Sequence, residues 1–120
     1  MAWNLDADRP IYLQLIEKIR TDIISGVYQP GDKVPTVREL AAEASVNPNT
    51  MQKALTELER IGLLYSQRTS GRFVTEDEKL MREARESIAM EQIQSFLKGM
   101  KELGFEKDEI LNMIRDMKED

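Results

Sequence analysis

Residues 46–62 read VNPNTMQKALTELERIG, and Met51, Leu55 and Leu58 recur there at the spacing of one buried helical stripe. The side chains near the start of this segment are polar. A shorter helical pattern, TVRELAAEA at residues 36–44, ends two residues earlier. Two helices joined by so short a turn predict a helix-turn-helix, in which the second helix packs on a core with one face and can enter a DNA groove with another.

The sequence contains candidate capping residues for both helices. Thr36 and Glu39 have the spacing of a capping box, in which each side chain satisfies a free backbone N–H of the other residue. Asn47 is placed to cap the second helix of the pair, with Pro48 in its first position, and Gly62 closes it. We therefore expect both helices to begin at well-defined residues.

A further helix is predicted before this pair. Asp8 is a candidate N-cap, and an apolar stripe follows it until Gly26, so this helix runs to about residue 25. The next segment holds a turn at Pro30 and Gly31 and places Val34 in a very short strand. The predicted domain thus has three helices.

A β-hairpin is predicted after the third helix. The segments LLYSQ at 63–67 and RFVTE at 72–76 are rich in strand formers, and the polar RTSG at 68–71 separates them, with Gly71 near the tip. Three helices followed by such a hairpin make a winged helix-turn-helix over residues 1–75. The expected fold class is α+β and mostly helical.

The tail, residues 76–120, is predicted to form a C-terminal two-helix hairpin. Thr75 and Glu78 suggest a second capping box, a helix of about 28 residues follows, and Gly104 separates it from a last helix. The apolar stripe exceeds what one helical hairpin can hide, so we interpret it as a homodimer interface; the alternative is that the long helix folds back over its own winged domain. The interface residues predicted are Ile88, Ile93, Phe96, Leu97, Met100, Leu103, Ile110 and Ile114.

Composition restricts the function. The chain has no cysteine and no histidine, which excludes thiol catalysis, Cys/His zinc sites and histidine acid–base chemistry. The acidic groups at 76–78 and 108–109 fall in first helical turns, where they complement the helix dipole. We therefore expect no enzyme activity, cofactor or metal. No apolar run approaches the ~20 residues that span a bilayer, and no secretion signal precedes the first helix, so a cytoplasmic location without membrane partners is expected.

The net charge of −5 would argue against a nucleic-acid partner if the charge were evenly spread. Residues 1–75, however, carry nine acidic and nine basic side chains, and the whole acidic excess lies in residues 76–120. A neutral first segment can still present a local basic face, and an acidic tail fits a part that points away from DNA. The alternative is that the acidic residues only solvate long helices.

Four segments together resemble the GntR family of bacterial transcription regulators: PIYLQLIEKI (10–19), SGVYQPGDKVPTVRELA (25–41), VNPNTMQKALTELERIGLL (46–64) and SGRFV (70–74). The tail of about 45 residues is similar to the YtrA-type branch of that family, whose small helical tail serves dimerisation. The resemblance implies a dimeric, repressor-like regulator that binds a double-stranded DNA operator near its own operon. Ser45 and Thr69 depart from the family pattern, because glycine usually stands at both positions.

Candidate DNA-binding residues lie in three places. In the family, the arginine that matches Arg38 grips the DNA backbone. Asn and Gln at the start of the third helix can pair with adenine edges, and arginines on a hairpin suit the minor groove or its phosphates. For Thr36 and Asn47 capping alone is the alternative, and for Arg38 and Lys53 simple solvation. The full set is Thr36, Arg38, Asn47, Asn49, Thr50, Gln52, Lys53, Arg68, Ser70, Gly71 and Arg72; Lys33 and Arg60 cannot be placed from the sequence.

Two further hypotheses remain open on the sequence alone. The chain's acidity fits a winged-helix module that binds another protein and never touches DNA. Such binding would depend little on salt, whereas DNA binding would weaken steeply with it. The methionine-rich tail could also hold an unidentified hydrophobic effector, since methionine side chains adapt to irregular ligands.

Overall fold

The computed structural model describes residues 3–118 of the chain. It divides into two compact units, the first ending at Arg82 and the second beginning at Glu83. Within these residues the order of elements is α1 (Ile11–Ile24), α2 (Val37–Ala44), α3 (Pro48–Arg60), β1 (Leu64–Gln67), β2 (Gly71–Val74), α4 (Glu78–Glu102) and α5 (Lys107–Asp116). The prediction of a mostly helical, winged helix-turn-helix fold with C-terminal helices is confirmed.

The core of the first unit is made by α1, α2, α3 and the base of the hairpin. Helix α3 contacts α1, α2 and β1, so it is the central element of the unit. Burying one leucine or isoleucine side chain contributes about 1.5–3 kcal/mol. The side chains that are 1% exposed or less in this core are Leu15, Ile19, Ile23, Leu40, Met51, Ala54, Leu55, Leu58, Leu63, Leu64 and Val74.

The first helix begins later than predicted. Pro10, not Asp8, is the N-cap of α1, and no side chain caps that end. The amide of Gln14 instead donates to the carbonyls of Asp6 and Arg9 at 2.8 and 3.0 Å and accepts from Asp6 N at 2.6 Å. The physical reason is that a residue before proline avoids the α region, so Arg9 cannot enter the first turn.

The caps of the helix-turn-helix are as predicted. Thr36 N donates to Glu39 Oε1 at 2.8 Å and Glu39 N donates to Thr36 Oγ1 at 3.2 Å, which completes the capping box of α2. Asn47 Oδ1 accepts from Asn49 N at 2.7 Å at the start of α3. Ser45 lies between the helices with φ 58° and ψ 47°, a left-handed conformation that favours glycine.

The wing is an antiparallel hairpin in which Leu64 pairs with Val74 and Gln67 with Gly71. Its loop is residues 68–70, so Gly71 lies in the last pair of the ladder rather than at the tip. A third segment joins the sheet, because Lys33 forms a bridge with Phe73 and Val34 N donates to Arg72 O at 2.9 Å. This bridge is the short strand expected near Val34.

The long helix α4 has 25 residues and begins at Glu78, and the expected Thr75–Glu78 capping box is wrong. Thr75 N still donates to Leu63 O, which extends the hairpin's pairing past β2 and delays the helix. Asp77 Oδ1 accepts from Leu80 N at 3.1 Å and so takes the capping position. Because the first turn of α4 belongs to the first unit, the functional division into residues 1–75 and 76–120 stays a prediction.

Candidate nucleic-acid interface

The amino end of α3 presents polar side chains to solvent. Asn47, Asn49, Gln52 and Lys53 are exposed, and Thr50 is half-buried. The Asn47 side chain is engaged as the cap. Gln52 Nε2 reaches Thr56 Oγ1 at 3.4 Å, a long contact that another partner could replace, and Lys53 Nζ lies 5.4 Å from the ring centroid of Tyr12. These side chains are exposed donors and acceptors that suit base edges, while the opposite face of the helix is buried.

A basic cleft opens between the start of α2 and the wing. Its volume is about 520 Å³, and four cationic side chains line it together with polar and apolar neighbours, while no carboxylate is among the lining residues. The amino end of α2 adds the positive end of a helix dipole. The lining residues are Lys33, Val34, Pro35, Thr36, Val37, Arg38, Ser66, Gln67, Arg68, Gly71 and Arg72.

Three of the four cations of the basic cleft are Lys33, Arg38 and Arg68. Their side chains form no ion pair or hydrogen bond within residues 3–118. All three are exposed. The Lys33 charge acts on Glu39 by Coulombic attraction and helps to lower the pKa of that carboxyl, after the larger effects of the hydrogen bonds with Thr36. A cation without a bonded carboxylate partner can neutralise a phosphate without first breaking an ion pair.

Arg60, by contrast, is bonded within its own helix. Its Nε donates to Glu57 Oε1 at 2.8 Å and its second terminal nitrogen to Oε2 at 2.5 Å. Hydrogen bonding to Glu57 raises the pKa of Arg60, and the same bond lowers the pKa of Glu57. Arg60 is also exposed, but it differs from Lys33, Arg38 and Arg68 because it already has a bonded carboxylate partner.

Arg72 is paired with a carboxylate and is not a free cation, so its predicted contact with DNA stays a prediction. It lies in β2, and its Nε donates to Glu59 Oε1 of α3. Ser66 Oγ, from the paired position on β1, donates to Glu59 Oε2 at 2.9 Å. Arg72 is thus 18% exposed and joined to α3, while Arg68, Ser70 and Gly71 remain exposed.

The sequence did not place Lys33 in this site, and sequence reasoning missed Glu59. Lys33 precedes the buried Val34, and alternation along an extended segment predicts only that it turns outward; its position beside the wing depends on the bridge to Phe73. Glu59 faces the wing from the last turn of α3, and its contacts depend on how the hairpin packs on the helix, which no local pattern specifies.

The second unit carries an exposed apolar face on α4. Ile93 and Phe96 are 49% and 47% exposed and Met100 is half-buried, and Leu103, one residue past the end of the helix, is 73% exposed. Their spacing of three and four residues is that of the a and d positions of a coiled coil. The other predicted interface residues are Ile88 and Leu97, which are half-buried, and Ile114, which is 51% exposed.

Ile110 does not fit the predicted interface. It is 1% exposed within a single chain, so it has almost no surface left to bury on association. Its place on the apolar side of α5 was predicted correctly, but periodicity cannot tell whether that side is covered within the chain or by a partner.

Within residues 3–118, no helix is both long and apolar enough to cross a bilayer. The same residues contain no group of three or more acidic side chains arranged to hold a metal ion.

Comparison with known proteins adds three findings. The sequence pattern of the family described as "Bacterial regulatory proteins, gntR family" matches residues 11–74. The chain is 34% identical to the HTH-type transcriptional repressor YtrA of Bacillus subtilis strain 168 over 112 residues, which cover 92% of this chain and 86% of that protein. A GntR family transcriptional regulator from Listeria monocytogenes has a solved structure similar to this one, with a TM-score of 0.86, 36% identity and coverage of 95% of this chain and 100% of that chain.

A solved complex with DNA is also similar to part of this chain. The structure of AraR(DBD) in complex with operator ORX1 has a TM-score of 0.57 and 33% identity, and it covers 62% of this chain and 95% of that chain. That protein is bound to its operator.

Proposed function

The chain belongs to the gntR family of bacterial regulatory proteins and is a DNA-binding transcriptional regulator, and we propose that it acts as a homodimer that represses transcription from the operator it binds. The basic cleft between α2 and the wing is the observation that carries the assignment of the DNA-binding surface. A repressor role is supported by the name of YtrA, which the chain matches along most of its length.

We assign phosphate binding to the basic cleft. Lys33, Arg38 and Arg68 are exposed, lack bonded partners in the part of the chain that the structure describes, and line one concave surface. DNA phosphates that contact these side chains would release their condensed counterions, and this release favours binding. These contacts position the protein on the duplex and carry no sequence information.

We assign base reading to the amino end of α3. Asn49 and Gln52 are exposed and carry the amide groups that pair with the N6 and N7 edges of adenine in the major groove. The flanking candidates are Thr50, which is half-buried, and Lys53, which lies near Tyr12. Thr36 and Asn47 cap their helices, so their side chains can offer DNA only the hydrogen-bonding capacity that capping leaves. Arg68 with Ser70 and Gly71 would address the neighbouring groove.

We assign dimerisation to the apolar face of α4, with a second copy of this chain as the partner. Ile93, Phe96 and Met100 of α4, with Leu103 directly after it, repeat at alternating spacings of three and four residues, so a second copy of the chain could cover them as one apolar seam. A twofold-symmetric pair would present two α3 helices to two half-sites about one helical turn of DNA apart. An effector held by the methionine-rich tail stays a prediction.

Selection of bound fragments from a random DNA pool, at two salt concentrations, tests this function. The expected result is an enriched inverted repeat whose enrichment falls at the higher salt. With the selected DNA, Gln52→Ala should relax base preference and Arg38→Ala should weaken binding to all sequences alike. Recovery of no enriched sequence at either salt would contradict the function proposed here.

A further inference from the structure

The carboxylate of Glu59 contacts both strands of the wing from the last turn of the recognition helix α3. Its Oε1 accepts from Arg72 Nε on β2, and its Oε2 accepts from Ser66 Oγ on β1. Ser66 and Arg72 are directly paired in the ladder, one pair before the loop of residues 68–70. Both carboxylate oxygens therefore accept hydrogen bonds from one cross-strand pair, the Ser66–Arg72 rung of the hairpin.

This rung lies at the outer part of the wing. The inner pair, Leu64 and Val74, is 1% exposed or less and belongs to the core, whereas the last pair, Gln67 and Gly71, is exposed. On the other edge, Arg72 O accepts from Val34 N, so the backbone of the rung is also tied to the segment before α2. A two-stranded hairpin holds its direction poorly without such packing.

Fold stability does not explain why an acidic residue stands at this position. A negative charge in the last turn of a helix faces the negative end of the helix dipole. Arg72 and Glu59 keep only 18% and 27% of their side chains exposed, and the cost of withdrawing both charges from water offsets much of their attraction, so the pair adds little net stability. The packing of α3 on the hairpin is already provided by fully buried leucines.

We infer that Glu59 is a positioning residue for DNA recognition, which fixes the direction of the wing loop relative to the amino end of α3. This inference rests on the DNA-binding function proposed above. With the Glu59 contacts in place, Arg68 and the side chains of α3 reach the duplex from fixed relative positions. Without them, the wing loop moves more freely and the Arg68 contact is formed at a greater entropic cost.

The sign of the effect separates positioning from charge. Removing a carboxylate raises the net positive charge of the unit and releases Arg72, so electrostatics alone predicts tighter DNA binding for Glu59→Ala. Positioning predicts weaker binding, by about three- to tenfold. Glu59→Gln retains an amide oxygen for Arg72 and an N–H for Ser66, and it should stay close to the parent.

Glu57 offers a matched control. It lies on the same helix, is 27% exposed like Glu59, and is paired with an arginine, but its partner Arg60 is on α3 itself. Glu57→Ala should therefore bind DNA as tightly as the parent or more tightly. Thermal unfolding of each variant checks that the fold is retained.

The test is a double-mutant cycle measured by fluorescence anisotropy with the full chain and the selected operator. Glu59→Ala should weaken binding in the parent and in the Gln52→Ala background, but by less than about twofold in the Arg68→Ala background, where the wing contact is already lost. Tighter binding of Glu59→Ala, equality with Glu57→Ala, or full additivity with Arg68→Ala would overturn the inference. Failure of the parent itself to bind would instead refute the proposed function.

A second readout needs no DNA. Amide residual dipolar couplings of residues 68–70, compared with those of α3, report the direction of the loop in the free protein. Glu59→Ala should reduce these couplings in the loop and leave α3 unchanged, whereas Glu57→Ala should alter neither. Unchanged loop couplings in Glu59→Ala would contradict the positioning role.

Discussion

The side chain of Lys33 crosses the wing at Gly71, where an added Cβ would lie 3.0 Å from the lysine Cε. Gly71 also has a φ of +108°, which L-residues rarely adopt. The short distance places the lysine side chain against the backbone of β2, so that the wing and the segment before α2 share one surface.

Gly71→Ala should therefore lower the free energy of unfolding by about 1–3 kcal/mol, because the new side chain is strained and also pushes Lys33 away. Gly99 is the matched control, since it lies within α4, has no atom within 4 Å of an added Cβ, and should gain about 0.5–1 kcal/mol on substitution by alanine. Urea denaturation of both variants measures the difference. Equal stability changes would contradict the account of Gly71.

Ser45→Gly should stabilise the protein by up to about 1 kcal/mol. Ser45 is the only non-glycine residue with positive φ among residues 3–118, and glycine pays no Cβ penalty in that conformation. Ser25→Gly is the control, because Ser25 caps α1 with φ −82° and gains nothing from glycine. A shift in thermal midpoint of the same sign and size in both variants would refute this explanation.

Phe96→Glu should convert the proposed dimer to monomers, because it places a charge in the middle of the apolar face of α4. Ser95→Glu adds the same charge one residue away, at an exposed position outside the heptad, and should leave the dimer intact. Sedimentation velocity gives the mass of each species. A Phe96→Glu variant that still sediments as a dimer would exclude this face as the interface.

The Glu39 carboxyl should titrate below its ordinary pKa of 4.5, first because of its hydrogen bond with the Thr36 backbone, then because of the Thr36 hydroxyl. A pKa lowered in the folded state means that the capping box stabilises α2 above the unfolded pKa, and that this contribution is lost as pH falls through the folded pKa. A carbon-detected NMR titration of the Glu39 carboxyl measures its pKa directly.

Thr36→Val removes the hydroxyl and should move the Glu39 pKa toward 4.5. The Glu57 pKa is lowered by Arg60 and should not change in the same variant, which makes it an internal control. A Glu39 pKa that is identical in the parent and in Thr36→Val would argue against the hydroxyl's part in the box.

Local signals in the sequence were sufficient for the helix-turn-helix. Thr36 with Glu39, and Asn47 with Pro48, fix where α2 and α3 begin, because cap chemistry acts within three or four residues. The starts of α1 and α4 were misplaced where a second constraint competed: the restriction on Arg9 before a proline, and the strand pairing that holds Thr75.

The candidate site was less predictable, since it depends on contacts between elements distant in sequence. Arg72 reads as a wing-tip cation until the hairpin packs on α3 and brings Glu59 within reach. Lys33 could not be placed, because its role depends on the bridge to Phe73. Ile110 lies on the expected face of α5, yet its burial within one chain could not be read from periodicity.

The salt dependence of operator affinity tests the central claim, that Lys33, Arg38 and Arg68 in each basic cleft neutralise DNA phosphates. Three contacts in each copy of a dimer give a slope of about −5 in a plot of log affinity against log salt, at about 0.9 per phosphate. We expect the triple variant with alanine at these positions to lose nearly all of that slope, while Arg60→Ala keeps it. A triple variant whose slope equals that of the parent would contradict the account.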